Sequence, residues 1–180
     1  MMKHNILSAH KVIGSIVGLI VFIGLFKYVG VTIAASTMTL NLSGAWLALM
    51  TAIFGPLAGA FIAFFGHTIS DLSVTGTAWW TWAIANGMFG LFIGLAMQRI
   101  GIFVGPLTIK KIGLFNVWQL IANIVAWLII APLGDHWIYG LTLNAVYQQG
   151  VIITMVNVVV IAVLGTALIW LYQKLFIDRD

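Results

Sequence analysis

The 180-residue sequence has no cysteine and no glutamate, only three prolines, and charged side chains at just 7% of its positions. Each shortage excludes something. Without cysteine there is no disulfide framework and no thiolate metal site. The acids are four aspartates, Asp71, Asp135, Asp178 and Asp180, and neither a paired-carboxylate nor an HExxH motif occurs. A glycine-rich phosphate loop is also missing, so the chain does not bind ATP through a P-loop, and no enzyme activity is expected of it. Soluble domains are about 25% charged, so a chain with so few charges cannot cover a water-facing surface. What is present instead is apolar: 62% of the residues are hydrophobic, and lipid tolerates such side chains on the outside of a helical bundle. The class expected is an all-α integral membrane protein, one domain over residues 1–180. Lys3 followed by an apolar run has the look of a signal peptide, but apolar runs recur to the C-terminus and no small-residue cleavage site follows the first.

About 20 apolar residues span a bilayer as a helix. Six blocks qualify: residues 12–28, 42–54, 57–69, 80–98, 114–131 and 150–172. The second and third are short and separated by Gly55-Pro56; the fifth is expected to stop at Pro132. Six spans put both termini on one side. The basic residues are Lys3, Lys11, Lys27, Arg99, Lys110, Lys111, Lys174 and Arg179; all but Lys27 then fall with the termini and the even-numbered loops. The positive-inside rule makes that side, and both termini, cytoplasmic. The same clustering assigns the net charge of +4 to membrane orientation and not to nucleic acid. The three outer loops, residues 29–41, 71–79 and 132–149, are apolar and aromatic, which suggests a lid.

Polar side chains within the spans are costly unless they face the bundle interior or a cavity. His67 and Asp71 end the third span and share a helix face. Trp82 and Asn86 repeat that spacing on the fourth, Gln119, Asn123 and Trp127 form a stripe on the fifth, and Gln149, Ile153 and Asn157 one on the sixth. Tyr139 and Tyr147 lie in the last outer loop. Most of these lie in the outer half and converge on a pocket open to the outside. The candidate substrate-binding residues are therefore His67, Asp71, Trp82, Asn86, Asn123, Trp127, Tyr139 and Tyr147. The competing readings are structural: Asn123 and Asn157 as interhelical glue, Trp79, Trp80, Trp137 and Trp170 as an interfacial belt, and His67–Asp71 as a helix-end hydrogen bond. No metal site and no cofactor are expected, since His67, Asp71, Asp135 and His136 lack a ligand spacing. Small residues let helix backbones approach closely. For Gly87, Gly90 and Gly94 on the fourth span this means packing inside the chain. For Gly14 and Gly18 on the first, near Ser8, Ala9 and Ser15, a docking face for another membrane subunit is the alternative to internal packing.

The stretch FGPLAGAFIAFFGHTISD from Phe54 to Asp71 resembles the second-to-third helix signature of S components of energy-coupling-factor (ECF) importers. WWTWAIANGMFGLFIG from Trp79 to Gly94 and NIVAWLIIAP from Asn123 to Pro132 resemble the riboflavin-type subgroup. The likeness covers most of residues 40–170. It departs at the first span, whose small-residue motif is alanine-based in that family and glycine-based here. The resemblance implies capture of a vitamin outside the cell, partnership with a transmembrane T subunit and two ATPase subunits, and toppling in the membrane to release cargo. Docking to the T subunit falls on Gly14 and Gly18. The cargo expected first is cobalamin, with riboflavin, pantothenate or a methionine-related precursor as alternatives. The pocket contains no buried Lys or Arg, which favours a neutral ligand over an anionic one. Two other classes compete: an ion-coupled transporter or channel, for which no mid-membrane charges or broken helices are evident, and a structural membrane subunit, which leaves the outer polar residues unexplained.

Overall fold

The computed structural model describes residues 9–32 and 39–178. The expectations that fall on Lys3, Ser8, Arg179 and residues 33–38 of the first outer loop lie outside the described residues. The chain order is α1 (Ala9–Tyr28), a two-stranded ribbon β1 (Gly30–Thr32) and β2 (Thr39–Asn41), α2 (Ser43–Phe54), α3 (Pro56–Thr75) and α4 (Trp80–Ile100). Two composite helices follow. The first joins α5 (Ile109–Ile124), a π-helical turn (Val125–Ile130) and α6 (Ala131–Tyr139); the second runs through α7 (Leu143–Val160), a π turn (Ile161–Gly165), α8 (Thr166–Tyr172) and a last π turn (Gln173–Ile177).

Five of these helices are long and apolar enough to cross a membrane: Ala9–Tyr28, Pro56–Thr75, Trp80–Ile100, Ile109–Tyr139 and Leu143–Ile177. Their outward faces carry Ile13, Val17, Ile20, Met155, Val159 and Val163 exposed, as lipid contact allows. The expected second span is the exception. At 12 residues, α2 is roughly 18 Å long at 1.5 Å per residue, short of a hydrocarbon core of about 30 Å. It is enclosed instead: Leu47 and Ala48 are fully buried, and α2 packs on α1, α3, α4 and the second composite helix. All six expected helices are therefore present: five are long enough to span, and α2, expected from the sequence to be short, returns the chain between α1 and α3 inside the bundle.

Pro132 does not end the fifth helix, and the reason is local. In an α-helix its ring would press on the carbonyl four residues back and its missing N–H would leave that carbonyl unpaired. The wider π turn immediately before it relaxes that ladder, and the helix continues to Gly140, which ends α6 at φ 69°. The last outer loop consequently shrinks from 132–149 to Gly140–Thr142, and both Tyr139 and Tyr147 are helical. In the same way α3 passes Ile69 and Asp71 and stops at Gly76, φ 75°. The first outer loop includes the antiparallel ribbon, pairing Gly30 with Asn41.

The tightest helix pair is α3 with α4. A Cβ on Gly90 would stand 2.4 Å from the Gly59 carbonyl oxygen, and one on Gly94 would stand 2.4 Å from Pro56 Cα, so these glycines are used for packing inside the chain. Gly14 and Gly18, expected on a partner-docking face, are also turned inward. A Cβ on Gly14 would meet the Phe54 ring at 2.2 Å, and one on Gly18 would meet Ile62 Cδ1 at 2.9 Å. Trp46 reinforces this seam by donating its indole N–H to the Gly18 carbonyl at 3.0 Å. The open side of α1 carries Ile13, Ile16, Val17 and Ile20 instead.

Candidate functional site

At the end of the bundle where α1 and α3 finish and α2, α4 and α7 begin, the helices leave a cavity of about 510 Å³. The opposite end carries Arg99, Lys110, Lys111 and Lys174. Phe26 of α1, Ser43 and Gly44 of α2, and His67 and Asp71 of α3 line one side of the cavity. Trp79 just before α4, Trp82, Asn86 and Phe89 of α4 and Trp127 of the π turn line another; Leu141 and the α7 stripe Gln149, Ile153 and Asn157 complete it. No lysine or arginine is among these residues. The volume falls within the roughly 300–1,000 Å³ of sites that hold drug-sized ligands.

One wall is aromatic. The Trp82 and Trp127 rings lie 5.4 Å apart between centroids at an interplanar angle of 37°, and Phe89 adjoins Trp127 at 6.2 Å. Trp127 is buried, and its Nε1 has no hydrogen-bond partner among the described residues. Such a donor is costly to leave unmade. The facing wall is polar and linked in series. Asn86 Nδ2 lies 3.2 Å from His67 Nδ1, and His67 Nε2 lies 3.6 Å from Asp71 Oδ2. The same Asp71 oxygen accepts the Trp79 backbone N–H at 3.0 Å.

The second aspartate of this end, Asp135 on α6, is buried. Its Oδ1 accepts from Trp79 Nε1 at 2.8 Å and from the Thr81 hydroxyl, and its Oδ2 accepts from Trp82 Nε1 at 2.7 Å. Neither carboxylate pairs with a lysine or arginine among the described residues. Both instead meet the start of α4, where unpaired N–H groups and the helix dipole favour negative charge. Tyr139 completes the collar: its hydroxyl accepts the Trp80 N–H at 3.2 Å, and its ring lies 5.0 Å from that of Trp79.

Of the residues singled out from sequence, His67, Asp71, Trp82, Asn86 and Trp127 meet at the cavity. Asn123 does not: it is buried, and its amide donates to the Gln119 carbonyl at 2.8 Å and to Gln119 Oε1 at 3.0 Å, a bond within α5. Tyr139 braces α4 without lining the cavity, and Tyr147 is half exposed on α7. Asp135, Thr81, Phe26 and Phe89 escape sequence reasoning. Asp135 stood in a stretch read as loop, and the apolar Phe residues carry no mark separating them from core. The α7 stripe was visible at its i, i+4 spacing.

Helices of spanning length around a ligand-sized cavity are the architecture of a membrane protein with room for a small molecule at one end of its bundle. The sequence family described as ECF-type riboflavin transporter, S component, matches residues 7–174. A UPF0397 protein of Leuconostoc citreum is 38% identical over 96% of this chain and 92% of its own length. One from Lactobacillus helveticus is 37% identical over 95% and 92%, and the UPF0397 protein YdcD of Lactococcus lactis subsp. lactis is 38% identical over 95% and 93%. No solved structure matches. The chain belongs to the ECF-type riboflavin transporter S component family. It is a membrane protein and a substrate-specific subunit of an ECF transporter, a type in which ATP hydrolysis lies in separate subunits.

Proposed function

We propose that the cavity captures a neutral, planar, vitamin-sized ligand from outside the cell, and that riboflavin is that ligand. The observation that carries this reading is the wall of Trp82, Trp127 and Phe89 in a cavity of about 510 Å³ without a cation. Aromatic faces bind a planar ring system by stacking. Asn86, Gln149 and Asn157 offer amides for the ligand's carbonyls and hydroxyls, the usual division between apolar surface and a few orienting polar groups. The family's own description names riboflavin, in keeping with this chemistry. Cobalamin, the cargo expected first from sequence, is a far bulkier corrinoid that would protrude well beyond this cavity, so it ranks second. An anion such as pantothenate finds no lysine or arginine here.

The remaining parts of the role follow the family. A T subunit and two ATPases drive release, since the chain has no nucleotide loop of its own. Both termini face the cytoplasm, in line with Arg99, Lys110, Lys111 and Lys174 opposite the cavity. The test is to purify the full chain, identify co-purifying ligand by mass spectrometry, and titrate it with riboflavin and cyanocobalamin. Submicromolar riboflavin binding is expected. Binding of cyanocobalamin alone would replace the cargo, and binding of neither, with no co-purifying vitamin, would remove the importer reading of the site.

A further inference from the structure

Asp135 is an acid buried at the cavity end of a membrane bundle, with no cationic partner among the described residues. An acid within a membrane span is costly unless its surroundings satisfy it, and such residues commonly mark functional sites. Its bonds go to one place. Two of its three donors are the indole N–H groups of Trp79 and Trp82, and both rings line the cavity. The third is Thr81, between them in sequence. Gly134, the residue before it, sits so close to α4 that a Cβ there would stand 2.8 Å from Thr81 Cγ2. The absence of a side chain at Gly134 thus lets α6 bring the carboxylate against the first turn of α4.

We propose that Asp135 is a positioning residue of the substrate site. A single carboxylate, reached from the neighbouring composite helix, anchors the indoles of Trp79 and Trp82 by their N–H edges and so fixes which faces they turn to the ligand. Charge-assisted hydrogen bonds are shorter and stronger than neutral ones, and an indole has only one N–H to give. With that N–H committed to Asp135, each ring offers the ligand its face and not its edge. Trp127, whose N–H has no partner among the described residues, is left as the indole that can donate. The site thereby leaves two of its three tryptophans only a face to offer the ligand, and the third, Trp127, both its face and its N–H.

This inference rests on the cavity being the substrate site, and its test separates the two. The full chain is labelled with 5-fluorotryptophan, and the Trp79 and Trp82 fluorine resonances are assigned with W79F and W82F. In Asp135→Asn the amide places an N–H against an indole donor, so both resonances should move while that of Trp170, exposed on α8, stays. Riboflavin affinity should fall at least about tenfold, the order expected when an ordered contact loses its charged anchor, and D135E, which keeps the carboxylate, should recover part of the loss. In a W82F background the same substitution should cost markedly less, because the anchor then holds one ring fewer. If D135N does not fold, Thr81→Val decides: it removes the donor that shares Asp135 Oδ1 with Trp79, so the Trp79 resonance should shift, and by more than that of Trp82, whose N–H meets Oδ2. Unmoved resonances, or an affinity that is unchanged when they move, overturn the proposal. If the wild-type chain does not bind riboflavin, the flavin reading fails, while the fluorine spectra still decide whether Asp135 holds the rings.

Discussion

Replacing Trp127 by Phe separates a ligand contact from a core residue, because its indole N–H is buried yet unpartnered among the described residues. A core tryptophan whose N–H is satisfied loses a hydrogen bond and ring volume on conversion to Phe. Here no such bond exists to lose. The substitution removes a desolvated donor, worth about 1–3 kcal/mol in favour of the variant, against the loss of part of a ring, worth about the same in the other direction. The ligand-free stability should therefore change by no more than about 1 kcal/mol, from near-cancellation of these two effects. Affinity should behave differently. If Nε1 donates to a ligand carbonyl in a dry site, the variant leaves that carbonyl unpaired at a cost of about 1–3 kcal/mol, a roughly five- to 150-fold weaker dissociation constant. The assay is a pair of measurements on each protein: thermal melting without ligand, and riboflavin titration by quenching of flavin fluorescence. A variant that melts clearly lower but binds unchanged would refute the reasoning, since it would show the indole working for the fold and not for the ligand.

Gly90→Ala should lower the melting temperature, by an overpacking cost of about 1–3 kcal/mol, because its Cβ would stand 2.4 Å from the Gly59 carbonyl; Gly24→Ala, which meets nothing within 4 Å, should not. Gly14→Leu should destabilise the ligand-free chain through its collision with the Phe54 ring, measured the same way; unchanged melting would return Gly14 to a partner face. Because the chain has no cysteine, single cysteines report topology directly: on intact cells an impermeant maleimide should label W137C and not D178C, and the reverse pattern would invert the orientation. In proteoliposomes, riboflavin uptake should require the T subunit, both ATPases and ATP; equal uptake by this chain alone would remove the subunit role.

Much of the architecture is legible in the sequence because lipid imposes simple rules. Residue type alone reveals the apolar runs, the basic residues between them and the small-residue faces of α1 and α4. Element ends were legible at Tyr28, Phe54 and Trp80, where expected and observed bounds coincide, and were missed at Gly76 and Gly140. The rule that proline ends a helix failed at Pro132, since a π turn is a property of packing around residues 125–130 and leaves no signature in VAWLII. The same turn carries Trp127 to the cavity while Asn123, four residues earlier, stays on Gln119. The i, i+4 stripe that groups Asn123 with Trp127 assumes an unbroken α-helical period, and the π turn breaks it between them.

Asp135 was hidden for a related reason. An aspartate in PLGDHW reads as a loop residue while Pro132 is taken as a terminator, and a loop aspartate on the outer face needs no partner. Once the helix runs through the proline, the same residue lies on a spanning helix, buried, and must be satisfied. The donors that satisfy it, Trp79, Thr81 and Trp82, lie more than 50 residues away in sequence, as the separations of 56, 54 and 53 show. Two of them had been explained already, Trp79 as an interfacial belt residue and Trp82 as a ligand contact. A tryptophan has two ends, and each reading used one of them. The face can meet the ligand while the N–H meets a carboxylate, so an assignment made residue by residue cannot see the acid that gives both indoles their common orientation.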